Sequence, residues 1–320
     1  MTVKCCVFVL FINLIVLSVL FMALTYTAQM KSLLDIPALQ NSNIFIKNDQ
    51  ELLNKINKLI LQGYDHLQIV TDFDQTLTAD PGENNKIILN SYEMLRLCPS
   101  IPQSYKDEDT KLYLKYKPFE QDPNLSLEEK SKYLNKWYKE SQSLLRGLKF
   151  PRAEIEDIAR NVSNSFRERV NVLVKWSETN SIPVLVLSSG LGDAVVATLK
   201  AANLLTPNIK VISNFLEIDK NDIITGMKSD PIHSYNKNEA SIKNTDYYNT
   251  IKGRNTVLLL GDSIGDANMT DGMENCDTVV KVGFLSKKKR NELQNYLNYF
   301  DIVLENDQTM DVVNALINLL

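Results

Sequence analysis

The 320-residue chain has few cysteine, glycine and proline residues and no excess of positive charge. Its 11 Gly and 10 Pro exclude a collagen-like or low-complexity chain, and a hydrophobic content of 44% excludes an intrinsically disordered one. Two of the four cysteines, Cys5 and Cys6, lie in an apolar run, so Cys98 and Cys276 alone do not make a disulfide framework. A net charge of −4 does not favour binding to a nucleic-acid polymer. The length fits a core domain that carries an insertion.

The amino terminus is the least polar part of the sequence. Residues 5–24 contain no charged side chain, and a run of about 20 apolar residues spans a bilayer as a helix. A cleaved signal peptide is the alternative, but its apolar region is usually shorter, and Tyr26 stands where a small residue is expected before a cleavage site. We therefore expect residues 1–30 to hold a hydrophobic transmembrane anchor, with a signal-like segment as the second interpretation.

Charge does not fix the side of the membrane on which the folded part lies, because Lys4 precedes the apolar run and Lys31 follows it. A glycosylation-type triplet begins at Asn268, beside acidic residues that we assign below to the active site. A glycan there would obstruct chemistry. We therefore expect a cytoplasmic catalytic domain. The sequence does not determine the oligomeric state, and we take a monomer as the expectation.

Short apolar runs predict six β-strands, of which the last is the weakest. They are residues 67–71, 183–187, 209–213, 256–260, 278–282 and 301–304. Most are separated by segments with helical spacing, such as 193–202, 287–298 and 310–319. Near-continuous apolar strands that alternate with helices predict a parallel sheet covered on both faces, which is a doubly wound α/β fold.

The stretch between the first two predicted strands is far longer than the dozen or so residues that a crossover requires. It is rich in Glu, Lys, Leu and Tyr at helical spacing and contains no convincing strand. We predict that residues 79–180 form an inserted helical cap, and that residues 31–78 and 181–320 form the core. The natural place for the cap is over the carboxyl ends of the strands, where open α/β sheets bind ligands.

Carboxylates collect where two of the predicted strands end. Asp72 and Asp74 follow the first strand with Phe73 between them, so the two acids are expected to point to one side. Asp262 and Asp266 follow the fourth strand. Each pair alone is explained equally well by turn formation or helix capping. Taken together, the acids indicate a hard cation with oxygen ligands, or a carboxyl group with a raised pKa.

The second predicted strand leads through Ser188 and Ser189 into Gly190 and a helix. A strand, a hydroxyl-bearing turn and a helix amino terminus can cradle a phosphate, although a simple helix cap explains the two serines as well. Lys237 precedes the fourth strand and would supply the fixed positive charge that such a site needs. A single lysine is more often a solvated surface charge.

Four segments carry these residues in a fixed order along the chain. They are Asp72-Phe73-Asp74-Gln75-Thr76-Leu77-Thr78, Ser188 at its strand end, Lys237, and Gly261-Asp262-Ser263-Ile264-Gly265-Asp266. In this order they resemble the four motifs of the haloacid-dehalogenase superfamily of phosphohydrolases. The inserted segment is similar to the cap that this superfamily places between its first and second motifs. The resemblance implies an α/β core with Rossmann-like topology.

Further segments narrow the resemblance. They are Glu120-Gln121-Asp122-Pro123, Glu128-Glu129-Lys130, Trp137-Tyr138 with Ser141, Ser213-Asn214-Phe215, Ile232-His233 with Tyr235-Asn236-Lys237, and Tyr299-Phe300-Asp301-Ile302-Val303-Leu304. From about residue 45 to the carboxyl end, the chain resembles the cytosolic 5′-nucleotidase III family, the pyrimidine 5′-nucleotidases. It departs from that pattern in the hydrophobic amino terminus, at Gln75, and at Thr78-Ala79-Asp80.

The resemblance implies a division of labour at the strand ends. Asp72 would be the nucleophile, and Asp74 would act first as proton donor to the leaving group and then as base. Mg²⁺ would be held by Asp72, the backbone carbonyl of Asp74 and Asp262, with Asp266 in a supporting position. These assignments belong to the family pattern and are transferred position by position.

The resemblance also assigns substrate contacts. Ser188 and Lys237 would hold the phosphate with Ser189 beside them, and Glu120 and Ser141 would contact the nucleobase. Four cap aromatics are candidates for stacking on the base, although aromatic residues at helical spacing more often form a core. They are Phe119, Tyr133, Trp137 and Tyr138.

The function implied is Mg²⁺-dependent hydrolysis of nucleoside 5′-monophosphates. The substrate would be a pyrimidine nucleotide such as CMP or UMP, or 7-methyl-GMP, and the sequence does not decide between them. Two alternatives stay open. One is hydrolysis of another small phosphate ester, and the other is a catalytically silent, membrane-tethered nucleotide-binding protein.

Overall fold

The computed structural model describes residues 29–81, 88–122, 124–238, 242–243, 245–273 and 276–320. The membrane segment predicted at residues 5–24 lies outside this part of the chain, as does nearly all of residues 1–30. Within the described part, no helix has both the length and the apolar composition that crossing a bilayer requires.

Nine strands are described in chain order. They are β1 (Ile44–Ile46), β2 (Leu67–Thr71), β3 (Val184–Leu191), β4 (Ile209–Asn214), β5 (Leu216–Ile218), β6 (Ile224–Met227), β7 (Thr256–Gly261), β8 (Thr278–Leu285) and β9 (Ile302–Glu305). Seven of them form one sheet in the order β1-β9-β8-β7-β2-β3-β4, and β5 pairs with β6 in a separate hairpin. All neighbours in the large sheet are parallel except β1, which runs antiparallel to β9 at the edge. The six predicted strands are therefore confirmed, and β1 and the hairpin were not predicted.

Ten α-helices are described. They are α1 (Asp49–Gln62), α2 (Ser91–Leu97), α3 (Gln103–Gln121), α4 (Leu127–Leu144), α5 (Arg152–Asn161), α6 (Val170–Thr179), α7 (Gly192–Ala201), α8 (Asp246–Ile251), α9 (Leu293–Tyr299) and α10 (Asp311–Ile317). The helices predicted at 193–202 and 310–319 correspond to α7 and α10. The helix predicted at 287–298 is instead a 3₁₀ segment, Lys287–Glu292, followed by α9, because Lys289 departs from helical geometry.

Apolar layers cover both faces of the sheet. Ile69 packs into the layer that contains α1, α6 and α10, whereas its neighbour Val70 packs into the opposite layer with α8 and α9. Successive side chains of a strand point to opposite faces, so a sheet buried on both sides needs apolar residues at consecutive positions. The predicted doubly wound α/β core is confirmed.

A third apolar cluster joins the insertion to the core. Its buried side chains include Met94 and Ile155 from the helices after β2, and Leu216 from the β5–β6 hairpin. Helix α6 does not belong to this cluster, because Val170 and Leu173 pack in the sheet layer. The division into a cap at 79–180 and a core stays a prediction, and the packing of α6 favours a boundary before residue 170.

Candidate active site

Two adjacent parallel strands bring the predicted acids together. The backbone N–H of Asp72 donates to the carbonyl of Leu260, which continues the pairing of β2 with β7 by one residue. Phe73 is 1% exposed and meets the edge of the Phe166 ring at a centroid distance of 6.0 Å. Anchoring Phe73 in the core fixes the segment on which Asp72 and Asp74 are mounted.

Three carboxylates form a compact group at this edge of the sheet. Oxygen atoms of Asp72, Asp262 and Asp266 lie within 4.8 Å of one another, close enough to hold one metal ion. Asp266 also accepts hydrogen bonds from the backbone N–H and hydroxyl of Ser263, which hold its carboxylate in place. A Cβ at Gly265 would lie 2.2 Å from the backbone oxygen of Ser234, so this turn requires glycine to meet the neighbouring loop.

Lys237 lies between two members of this group. Its Nζ is 2.5 Å from Oδ1 of Asp72 and 2.6 Å from Oδ1 of Asp266, and the lysine side chain is only 2% exposed. Burial alone would lower the pKa of Lys237, but the attraction of Asp266 and Asp72 outweighs it and raises the pKa. The lysine is therefore a fixed, buried cation and not a solvated surface charge.

One lysine does not balance three acids. Burial, followed by repulsion from Asp266, raises the pKa of Asp262 to about 7. Burial also raises the pKa of Asp72, with Asp266 and Asp262 adding to the shift and Lys237 opposing it. The group thus has more negative charge than its contacts neutralise, and a bound cation would stabilise the ionised carboxylates.

Asp74 has a different environment from Asp72. Ser91 donates to it twice, from its backbone N–H to Oδ1 at 3.2 Å and from its hydroxyl to Oδ2 at 2.8 Å. Burial raises the pKa of Asp74 to about 6, although the two bonds from Ser91 lower it. A carboxyl group with this pKa can hold and release a proton near neutral pH.

The serines after β3 do not cap the following helix. The strand extends through Ser188 and Ser189 as far as Leu191, which occupies the N-cap position of α7 without a side-chain hydrogen bond. Ser188 Oγ accepts a bond from the N–H of Gly190 at 3.0 Å, and Ser189 lines the same cavity as Tyr138. The capping interpretation is therefore wrong for both serines, which lie on the strand end beside Asp74 and the cap.

A cavity of about 490 Å³ lies between the helices after β2 and the end of β3, a volume within the range for small-molecule sites. Its lining residues are Asp74, Asn90, Tyr92, Glu93, Arg96, Tyr105, Asp109, Thr110, Tyr113, Trp137, Tyr138, Ser141, Gln142, Leu145, Ser189 and Gly190. The predicted residues Asp74, Ser141 and Ser189 thus share one cavity with two of the four candidate stacking residues.

The other candidate base contacts lie outside this lining. Phe119 and Tyr133 stack on each other at a centroid distance of 4.0 Å, so their ring faces serve cap packing. The carboxylate of Glu120 is 2.5 Å from the ammonium of Lys117, although its charge still contributes to raising the pKa of Tyr138. The structure therefore brings Ser141 to the cavity but leaves Glu120 at its side.

Comparison with known proteins identifies the family. The sequence model described as pyrimidine 5′-nucleotidase (UMPH-1) matches residues 75–320. The chain belongs to the pyrimidine 5′-nucleotidase family. The 7-methylguanosine phosphate-specific 5′-nucleotidase of Drosophila melanogaster is 37% identical over 287 residues, which cover 89% of this chain and 90% of that protein. The human enzyme of the same description is 31% identical over 283 residues, covering 88% and 94%.

A solved structure agrees with this membership. The crystal structure of cytosolic 5′-nucleotidase IIIB bound to cytidine matches with a TM-score of 0.87 at 37% identity, covering 91% of this chain and 97% of that one. The resemblance to the pyrimidine 5′-nucleotidases, and with it the haloacid-dehalogenase-like α/β fold, is confirmed. The chain is a 5′-nucleotidase, an enzyme that hydrolyses nucleoside 5′-monophosphates.

Two residues that hold the site of this pyrimidine 5′-nucleotidase family member were missed by sequence reasoning. Ser91 contacts Asp74, and the only sequence signal for it is the adjacent capping box of Asn90 and Glu93, which predicts a helix start. Arg167 is 4% exposed and donates to the carbonyls of Gln75 and Thr76, which follow the acids. No local pattern connects either residue to the site, because the contacts join residues 17, 91 and 92 positions apart in the sequence.

Proposed function

We propose that this chain hydrolyses nucleoside 5′-monophosphates in a Mg²⁺-dependent reaction that passes through a phosphorylated Asp72. The observation that carries this proposal is the group of two buried acids, Asp72 and Asp266, and the half-buried Asp262, with Lys237 in contact and the cap cavity alongside. The carboxylates offer oxygen ligands to a hard cation, and the neighbouring cavity has room for a nucleoside.

The metal proposed for the acidic group is Mg²⁺. Carboxylate oxygens are its preferred protein ligands, and the excess of negative charge around Lys237 matches a divalent cation. Asp72, Asp262 and the backbone carbonyl of Asp74 would hold it. Asp266 would support them, since its oxygens already contact Lys237 and Ser263. When bound, Mg²⁺ supplies positive charge that offsets the charge on the phosphate oxygens.

The two acids after β2 have separate roles in the proposed reaction. A carboxylate oxygen of Asp72 attacks phosphorus, the bond from phosphorus to the 5′-oxygen breaks, and Asp74 gives its proton to that oxygen. Asp74 then takes a proton from water as the water attacks the phosphorus on Asp72, which releases phosphate and restores both side chains. The pKa of about 6 at Asp74 suits both proton transfers.

The remaining predicted residues bind the substrate in this proposal. Lys237 and Ser188 hold the non-bridging phosphate oxygens, and Ser189 lies beside them. Trp137 and Tyr138 offer aromatic surface in the cavity for the base, and Ser141 offers a polar atom to its edge. Glu120 contacts the base in this proposal only after its carboxylate breaks its contact with Lys117.

The base could be a pyrimidine or 7-methylguanine. The fly and human relatives are named for 7-methylguanosine phosphate, and the solved relative contains cytidine. We propose that CMP, UMP and 7-methyl-GMP are all candidates, in preference to an unrelated small phosphate ester. We also propose a cytoplasmic catalytic domain, in line with the word cytosolic in the name of the solved relative, and a monomer anchored through residues 5–24.

The test is phosphate release by the full chain, purified in mild detergent, from CMP, UMP, 7-methyl-GMP, AMP and a sugar phosphate. Release from a nucleotide is expected to need Mg²⁺ and to disappear with chelator or in Asp72→Asn. Borohydride reduction followed by mass spectrometry should locate a phosphorylated Asp72 during turnover. Turnover of the sugar phosphate alone, or nucleotide binding without release, would replace the proposal with one of the two alternatives.

A further inference from the structure

The cavity contains an ion pair that the proposed reaction does not use. Arg96, from α2, lies with Nη1 2.6 Å from Oδ2 of Asp109, from α3, and both residues line the cavity. Arg96 also donates from Nη2 to the hydroxyl of Thr110 at 2.8 Å. The pair is partly buried, with 33% of the Arg96 side chain and 20% of the Asp109 side chain exposed. Its position is therefore fixed by contacts on two helices.

Asp109 extends this contact to a third helix. Its second oxygen, Oδ1, is 3.1 Å from Oγ of Ser141 on α4. A carboxylate paired with arginine can only accept hydrogen bonds, so the serine must be the donor. A hydroxyl has one proton, and Ser141 gives it to Asp109. What remains for the cavity is the pair of lone pairs on the serine oxygen.

We propose that Arg96 and Asp109 are positioning residues for base recognition, which they achieve by holding Ser141 as a hydrogen-bond acceptor. This inference rests on the proposed function. A pocket whose edge accepts hydrogen bonds favours a base that presents an amino group there, as cytosine and 7-methylguanine do. It disfavours uracil, which has a carbonyl oxygen where cytosine has its amino group. The pair thereby selects CMP over UMP.

The selection depends on the loss of rotational freedom at Ser141. A free hydroxyl turns to donate to a carbonyl or accept from an amino group, and so does not distinguish the two bases. A hydroxyl already committed to Asp109 leaves the uracil oxygen facing another acceptor, and an unpaired polar group in a pocket is costly. Removing the Asp109 carboxylate should therefore weaken the binding of CMP and strengthen the binding of UMP.

The test compares Asp109→Asn with wild type in the full chain, through kcat/KM for CMP, UMP and 7-methyl-GMP. The ratio of kcat/KM for CMP to kcat/KM for UMP is expected to fall about tenfold, mainly through KM. The reason is that the new amide can donate to the Ser141 oxygen, which leaves the serine hydroxyl free to donate to a base. Glu108→Gln is the matched control, since Glu108 precedes Asp109 on α3 but pairs with Lys111 in an exposed position outside the cavity lining. The control should keep the wild-type ratio.

A second variant separates positioning from general damage. Ser141→Ala should also lose the preference for CMP, and Asp109→Asn should then have little further effect on the ratio, because the two residues act through one hydroxyl. An unchanged ratio in Asp109→Asn, or an equal drop on top of Ser141→Ala, would overturn the inference while nucleotide turnover persists. Absence of nucleotide turnover in the wild type would count against the proposed function instead.

Discussion

Gly190→Ala adds a single methyl group and should damage both activity and stability. A Cβ placed there would lie 2.0 Å from Oγ of Ser91 and 2.9 Å from Oδ2 of Asp74. Real Cβ atoms do not approach so closely, and Ser91 is only 1% exposed, so its hydroxyl cannot simply turn into solvent. In Gly190→Ala the hydroxyl must leave its present position and give up both of its hydrogen bonds.

The magnitude follows from those two bonds. The Ser91 hydroxyl donates to Asp74 at 2.8 Å and accepts from the buried N–H of Leu191 at 3.0 Å. Losing one charged and one neutral bond, against the small gain from a less flexible unfolded chain, should cost about 2–4 kcal/mol of unfolding free energy. Misplacing a proton donor typically costs about 10²- to 10⁴-fold in rate, so kcat should fall by that range.

The assay measures kcat on the best nucleotide and unfolding in urea, both with Mg²⁺ present. The control is Gly226→Ala on β6, where the nearest atom to a new Cβ is the flexible end of Arg146 at 3.4 Å. That variant should keep wild-type activity. A Gly190→Ala protein with wild-type kcat and stability would show that Ser91 does not hold Asp74.

Three further results are expected. Mg²⁺ added to chelator-treated protein should raise the thermal midpoint. At one hundred times the Kd of Mg²⁺, the expected gain in the free energy of unfolding is about 2.7 kcal/mol, and Asp262→Asn should abolish the rise. Lys237→Gln should cost about 3–5 kcal/mol in urea unfolding without metal, because it leaves buried carboxylates without their cation; an unchanged midpoint would contradict that ion-pair assignment. Burial lowers the pKa of His233 to about 4, below the unfolded value near 6.5, so its stabilising effect is complete above pH 6.5. As the pH falls from there towards 4, about 3 kcal/mol is lost. His233→Asn should flatten that slope, and an equal slope in the variant and in the wild type would refute the assignment.

The sheet could be predicted because the signal for each central strand lies in a short stretch of consecutive residues. Each central strand is a near-continuous apolar run, and burial on both faces leaves that pattern in the sequence. Strand β1 has three residues and the β5–β6 hairpin has strands of three and four, too short for a period to be recognised. The helix predicted at 287–298 failed in its first half because spacing cannot reveal a local departure at Lys289.

The site divides in the same way. The strand ends and the resemblance predict that Asp72, Asp262, Asp266 and Lys237 lie close together. In the structure the three acids lie within 4.8 Å of one another and Lys237 contacts Asp266, while their chemical roles stay predictions. The cap was harder, since aromatic residues at helical spacing do not indicate whether they face a ligand or one another. Phe119 and Tyr133 stack on each other. Ser91 and the Arg96–Asp109 pair depend on contacts between helices, which no single segment encodes.

The contact between Lys237 and Asp72 joins residues 165 positions apart in the sequence. The buried acids and their cation therefore exist together only when β2, β7 and the loop before β7 have all assembled. Contacts of such sequence separation form late, because chain entropy must be lost before they are made. Regain of activity during refolding should accordingly report the assembly of β2, β7 and the loop before β7, and lag behind any signal from the helices of the insertion.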